Sequence, residues 1–440
     1  AALLSNTCLR LLHHHCGTAY RHLLRPMPCP PHIKAQRLAN QRLGEHRRSH
    51  RETSRLAFTA SDSLAAVHGV SSLEELLGSC ARELPLGLTA PVLAMAPMVK
   101  QSGRAFRDLV RAHGCTICYS EMLMADEFAA SEEYVQRAFG DGISDSDHPL
   151  VVQFAATSAT TLLEAALVAQ NKGADAIDLN LGCPQRRAKD GGYGAWLAHD
   201  VSKWPMIAEM VRTCTAASEL HIPVFCKIRL QPTLAATVQL AQLLEEAGCA
   251  LLAVHGRQLW GEAQKCRRSD AADLDAIMVV RAAVGIPVLA NGNVQSPADV
   301  VANLGRTCCE GVMCAEQLLR DPALFQRASA LFQASDVMLG ASPPVPPLPS
   351  TASLVEEFLT SSRSMDELGE RFTVWEASNL EVVKQHLRAI LTGRIGTSSG
   401  PVPAEDEAAL HACLHKFTGA SGFQAESLVH VGSAAGGSSP

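Results

Sequence analysis

Short apolar runs rich in β-branched residues recur from about residue 90 onward, with amphipathic stretches between them. Pro91–Ala96, Cys115–Ser120, Leu150–Ala155 and Ala176–Leu181 come first. Pro223–Leu230, Ala250–His255, Pro287–Asn291 and Gly311–Cys314 follow. Thr161–Lys172, Trp204–Ser218, Leu234–Ala247 and Ala271–Val284 read as helices. Near-continuous apolar strands alternating with helices predict a parallel sheet covered on both faces. Eight such units predict an α/β chain built as a (β/α)8 TIM barrel. A doubly wound sheet is the weaker alternative, because no G-x-G-x-x-G follows any strand.

The flanks differ from this core. Residues 1–88 are expected to be a basic leader, read as a targeting segment, a disordered stretch or the start of a fragment. The barrel is expected over 89–328, and a stiff Pro/Ser-rich linker over 329–352. A small C-terminal helical domain is expected over 353–396, and a flexible tail over 397–440.

Composition adjusts the picture at three points. The 440 residues are 47% hydrophobic and 19% charged, which excludes disorder across the whole chain. No apolar run reaches 18 residues, so no transmembrane helix is expected. The 15 cysteines are irregularly spaced and read as reduced thiols of an intracellular enzyme, cytoplasmic or nuclear, with an organelle possible from the leader. The formal net charge of −6 divides unevenly. Residues 1–60 hold ten Lys/Arg against two acids, about +8, which leaves about −14 for the rest. A polyanionic partner therefore has to be met by local cations. No Cys/His spacing suits a metal.

Function in such a barrel resides at the C-terminal ends of the strands. Polar residues gather there: Gln153 in the third run, Asn180 and Cys183 after the fourth, Lys227 and Arg229 in the fifth. His255 ends the sixth run, Asn291-Gly292-Asn293 the seventh, and Ala315-Glu316 the eighth. An unpaired ammonium is costly to bury, so a lysine inside a strand points to a functional role. Convergent donors of this kind suit a flat polar ring with a phosphate tail, such as flavin mononucleotide. The bland reading is a barrel core with polar layers.

Several strings then resemble a known family. APM at Ala96–Met98, LNLGCPQRRAKDGGYGAWL at Leu179–Leu197, CKIR at Cys226–Arg229, VHGR at Val254–Arg257 and ANGNV at Ala290–Val294 are similar to the tRNA-dihydrouridine synthases. DAIDLNLGCPQ and GVMCAE resemble the eukaryotic branch that acts on D-loop positions 16 and 17. The resemblance implies a flavin-dependent TIM barrel, a helical domain, and tRNA held between them. It implies FMN as cofactor and NADPH or NADH as electron donor; a monomer that holds no metal is expected.

The resemblance also implies roles. Cys183 is the acid that protonates uracil C5. Pro97, Met98, Gln153, Lys227, His255, Asn291, Gly292, Asn293, Ala315 and Glu316 line the flavin. Asn180, Arg229, Arg186 and Lys189 lie near the substrate base, and Lys384, His386 and Arg388 form a basic helix face toward tRNA. The loop Gln185–Tyr193 is expected to close over the base. Many family members have Gly-Arg where this chain has Ala315-Glu316, so backbone amides or another cation must replace one phosphate-binding arginine. The alternatives are a flavin barrel acting on a free pyrimidine, and a non-catalytic tRNA-binding protein.

Overall fold

The computed structural model describes residues 82–140, 142–259, 270–338, 349–367 and 385–391. The strands in chain order are β1 (Val92–Met95), β2 (Ile117–Tyr119), β3 (Leu123–Met124), β4 (Leu150–Ala155), β5 (Ala176–Leu181), β6 (Val224–Leu230), β7 (Leu251–Gln258), β8 (Val288–Asn291) and β9 (Gly311–Cys314). All pairings are parallel. Two-residue β3 only extends the edge of β4. The other eight close on themselves, because β1 pairs with β9 and β2 pairs with β4. The fold is a (β/α)8 TIM barrel, as the alternating apolar runs predict.

Each strand has period-two side chains, and closure turns that period into an inside and an outside. Val92, Ala94, Ile117, Tyr119, Val151, Ala176, Phe225, Leu251, Leu289 and Met313 form one apolar cluster, the barrel interior. Leu93, Met95, Cys118, Val152, Ile177, Cys226, Val254, Ala290 and Val312 belong to a second, under the helices. In the inward series the apolar residues sit at the N-terminal ends of the strands, and polar ones replace them toward the C-terminal ends.

The bottom of the barrel is stoppered by residues assigned above to the leader. Leu84, Leu86 and Leu88 pack on the interior cluster. Arg82 donates to the carbonyls of Arg281, Val284 and Ile286 and lies 3.6 Å from Glu310. The barrel body therefore includes Arg82–Leu88, upstream of the expected 89. The apolar floor needs a cover, and this short segment supplies it.

The covering helices are α1 (Arg104–Ala112), α2 (Ala125–Ala130), α3 (Glu132–Phe139), α4 (Ala159–Asn171), α5 (Arg186–Asp190), α6 (Gly194–His199) and α7 (Trp204–Ala216). They continue as α8 (Leu234–Glu246), α9 (Leu274–Ala283), α10 (Pro297–Thr307), α11 (Glu316–Arg320), α12 (Leu324–Met338) and α13 (Thr351–Glu367). Several begin on an oxygen that caps an otherwise orphan N–H: Ser158 for α4, Thr233 for α8, Asp273 for α9 and Ser296 for α10. The expected linker start at 329 is displaced, because α12 runs through Met338. The rest of that linker up to 348, the leader through 81 and the tail lie outside the described residues.

C-terminal helix α13 packs on α1, with His113 2.6 Å from Glu357 Oε2 and 2.7 Å from Gln326 Oε1. The helical residues 385–391 add Leu387, Ala389 and Ile390 to the same core. His386 departs from its expected place on a tRNA-facing surface. Its ring is 2% exposed, stacked on Phe106 at 4.5 Å and against Phe358 at 5.1 Å. The helix uses this position for docking, and an apolar sandwich is a poor place for a phosphate contact. Arg388 is half-buried on the same helix, and Lys384 lies outside the described residues.

Burial holds the His386 imidazole down to about 3. A ring that protonates near 6.5 when unfolded and near 3 when folded stabilises the fold above pH 6.5 and loses that contribution as pH falls toward 3. At pH 5 the loss is about 2 kcal/mol. Melting followed by circular dichroism should show His386→Phe retaining its midpoint between pH 7 and pH 5 better than the wild type. Equal shifts in both proteins would refute the assignment.

Candidate active site

The inward series on β4 to β8 places Gln153, Asp178, Asn180, Lys227, Arg229, His255 and Asn291 around the C-terminal mouth. Register ties them together. Gln153 pairs with Asp178, Asn180 with Lys227, Arg229 with His255, and His255 with Asn291. Five strands separated in sequence, β4 to β8, thus contribute to one polar layer. Small inward residues, Ala96 and Ala253, flank that layer, and Ala315 follows β9 at the same end.

The layer is cationic and rich in donors. Lys227 Nζ donates to Asn291 Oδ1 at 2.9 Å, and Asn291 Nδ2 donates to the Met313 carbonyl at 2.8 Å. Burial, and then the neighbouring Arg229 charge, pull the Lys227 ammonium down to about 7, while Asp178 opposes the shift. Arg229, 6% exposed, donates through Nε to the Gly182 carbonyl at 2.7 Å. Arg257 Nη1 lies 2.9 Å from His255 Nε2. A guanidinium only donates, so Nε2 accepts and the proton of the neutral ring resides on Nδ1. Burial, followed by Lys227, Arg229 and Arg257, keeps the imidazole well below its usual value, consistent with that neutral tautomer.

Asn180 does not face outward as a base-reading amide. Its Oδ1 accepts from the backbone N–H groups of Gly182 and Cys183 at 3.1 and 2.9 Å. Its Nδ2 donates to Gln153 Oε1 at 2.7 Å, and Gln153 Nε2 donates to Asp178 Oδ2 at 2.8 Å. Asn293 is likewise engaged by the protein. It holds the Ala272 backbone through both amide atoms, at 2.6 and 2.7 Å. Gly292, at φ +124°, leaves no room for a Cβ, which would stand 2.6 Å from that of Ala272. Pro97 and Met98 form the half-buried turn after β1, where the Met98 N–H donates to Ser102 Oγ at 2.8 Å. Ala315 caps α11, and Glu316 is exposed at its start.

Cys183 sits at the rim, half-buried, in a small apolar cluster with Ala188, Tyr193, Met122 and Trp196. The segment after it is not an open lid. It folds as α5 and α6, with the Ala195 N–H on the Cys183 carbonyl at 3.0 Å and Trp196 Nε1 on the Pro184 carbonyl at 3.1 Å. Gly194, at φ +66°, makes this return possible, since a Cβ there would meet the Cys183 carbonyl at 2.8 Å. Of the expected base-side cations, Arg186 is exposed and paired with Asp190 at 3.7 Å, whereas Lys189 lies 4.8 Å above the Trp196 ring. Burial pushes the Cys183 thiol above its ordinary value, while Arg229 and Arg187 oppose the shift. The thiol is therefore protonated at neutral pH, as a proton donor requires and a nucleophile does not.

Two residues of the layer carried no role in the sequence reading. Asp178 is fully buried on the inward face of β5, two positions before Asn180. Burial raises its carboxyl to about 7, against the opposing effects of Gln153 and Lys227. A carboxylate isolated between Ile177 and Leu179 in an apolar strand was the available signal. Arg257 was quoted only as part of a string. Among the described residues no group of His, Cys, Asp and Glu is arranged to hold a metal, and no helix is long and apolar enough to cross a membrane.

Comparison with known proteins agrees with this geometry. The model of the dihydrouridine synthase (Dus) family matches residues 94–389. A Rattus norvegicus tRNA-dihydrouridine(16/17) synthase-like protein is 44% identical over 246 residues, which are 56% of this chain and 54% of the rat protein. The tRNA-dihydrouridine(16/17) synthase of Schizosaccharomyces pombe is 35% identical over 239 residues, covering 53% and 57%. A Mus musculus tRNA-dihydrouridine(20a/20b) synthase-like protein is 37% identical over 235 residues, covering 53% and 69%. The chain spans about half the length of the first of these curated relatives. The matched span contains the whole barrel mouth just described, and the chain belongs to the dihydrouridine synthase family.

Proposed function

We propose that this protein reduces uridines of tRNA to 5,6-dihydrouridine, using FMN and electrons from NADPH or NADH, and that it acts as a monomer. The observation that carries the reading is the protonated Cys183 thiol, fixed beside Arg229 at the mouth of a donor-rich barrel. The residues present fit a flavin. The polar layer sets the cations Lys227, Arg229 and Arg257 and the His255 donor against one buried carboxylate. That excess favours an anionic ligand with several acceptor atoms. The small side chains of Ala96, Ala253 and Ala315 suit a flat ring in the same place.

Lys227, His255 and Asn291 would hold the flavin, with the backbone at Gly292 and Ala315 toward its phosphate. Bound there, flavin supplies the electron pair that enters uracil at C6. This chain's own residues manage the charge and the proton. Reduction at C6 builds negative charge at C5 and the C4 carbonyl, and Arg229 is the cation fixed nearest the thiol loop. Cys183 moves its Sγ proton to C5. The resulting thiolate is stabilised by Arg229 and Arg187, the two cations that already favour the anion. The apolar interior cluster and the Leu84–Leu88 stopper exclude water from below. The target base has to leave its stack to reach such a mouth. Exposed Arg186 and Lys189 lie on the rim that tRNA would meet, and such phosphate contacts make binding salt-dependent.

Four measurements test this. Mass spectrometry of tRNA incubated with purified protein, FMN and NADPH should show dihydrouridine. Cys183→Ala should lower the single-turnover rate by about 100-fold or more, the usual share of a positioned acid. A fully active variant sinks the acid assignment, and an inactive wild type sinks the reading. The wild-type rate should stay level through neutral pH and fall only above the ordinary thiol range, because the raised thiol loses its proton there. A fall beginning below pH 8 that persists in Lys227→Met at saturating FMN contradicts a protonated Cys183 as the donor. Lys227→Met should weaken FMN binding by about tenfold or more in a fluorescence titration, since one charge-assisted bond is worth about 1.5–3 kcal/mol. Unchanged affinity removes Lys227 from the flavin site.

A further inference from the structure

Asp178 is the one group of the polar layer to which neither the flavin nor the base assigns a task. A carboxylate at this fully buried position is expensive, and an apolar residue of similar size stabilises a barrel interior better. Its Oδ1 has no hydrogen-bond partner among the described residues. Its Oδ2, however, ends a continuous chain. Gln153 Nε2 donates to it at 2.8 Å, Asn180 Nδ2 donates to Gln153 Oε1 at 2.7 Å, and Asn180 Oδ1 receives the N–H groups of Gly182 and Cys183.

The direction of this chain is forced. Backbone N–H groups only donate, so Asn180 must turn its oxygen toward the Gly182–Cys183 turn. Its amide nitrogen then faces Gln153 and needs an oxygen. Gln153 in turn presents its nitrogen to β5, and only an acceptor can complete the series there. An amide flip at any link sets oxygen against oxygen or nitrogen against nitrogen.

We propose that Asp178 is a positioning residue for Cys183. As terminal acceptor it fixes the orientation of two amides, and through them the turn that carries the thiol. The inference rests on the proposed uridine reduction only for its activity readout.

The test reverses the chain with near-isosteric substitutions, which keep the fold. Asn180→Asp alone puts a carboxylate at each end of Gln153, which has one amide nitrogen to offer. Adding Asp178→Asn supplies a donor at the other end, so every link is complete with the opposite polarity. Asp178→Asn alone still offers an oxygen to Gln153.

The expected results are as follows. Asn180→Asp loses at least ~10-fold in kcat at saturating tRNA, with KM for tRNA within ~2-fold. The double variant recovers to within ~3-fold of the wild type, and Asp178→Asn alone stays within ~3-fold. In the protein without flavin, Asn180→Asp melts ~3 °C or more below the wild type, and the double variant regains most of that shift. A double variant no better than Asn180→Asp in both readouts overturns the proposal. So does an Asp178→Asn variant as impaired in kcat as Asn180→Asp, which would make the charge, not the chain, the operative feature. If wild-type protein forms no dihydrouridine, the proposed reaction fails, and the melting cycle alone decides the inference.

Discussion

A carboxylate and two strand-borne cations share the upper interior of a closed parallel barrel, and the rest of the site depends on how that burial is tolerated. Asp178, Lys227 and Arg229 all point inward because period-two alternation leaves them no other side. Water is excluded below them by Phe225, Leu251 and Met313 and by the stopper at Leu84–Leu88. Desolvation moves Asp178 up and Lys227 down toward the same value. Each charge draws the other partway back toward its ordinary value. The compensation is local: a hydrogen-bond chain on one side, and Asn291 on the other.

The same low-dielectric setting governs the thiol. Cys183 is raised by burial and held by backbone contacts, so its proton is retained until a cation is called on to stabilise the anion. Gly194 and the two short helices α5 and α6 make the thiol loop a fixed rim. Positioning is thus built into the ground state and does not wait for a loop to close.

The C-terminal helices contribute differently from a free basic surface. They dock on α1 through Phe106, Phe358 and His386, and α1 follows the Pro97–Gly103 turn at the mouth. Gln101 and Gln385, 3.5 Å apart, mark where the two regions meet.

The sequence by itself determined the strands, the order of the barrel and the ring of polar residues, because alternation and strand-end placement are one-dimensional properties. All eight predicted runs became barrel strands, and the strings around Cys183, Lys227 and His255 already marked the family. It also placed Cys183 in a tight glycine-flanked loop. Tertiary structure alone decided what each polar atom does. Asn180 and Asn293 carry the same amide in sequence, yet one holds the Gly182–Cys183 turn and the other clamps Ala272. His386 lies among basic residues in the chain but is buried between two rings, since a helix of known sequence does not announce which face meets α1. The partner of Asp178 became visible only when β4 paired with β5 and brought Gln153 beside it, 25 residues away. Hydrogen-bond partners and desolvation are set by neighbours distant in sequence, and no local pattern encodes them.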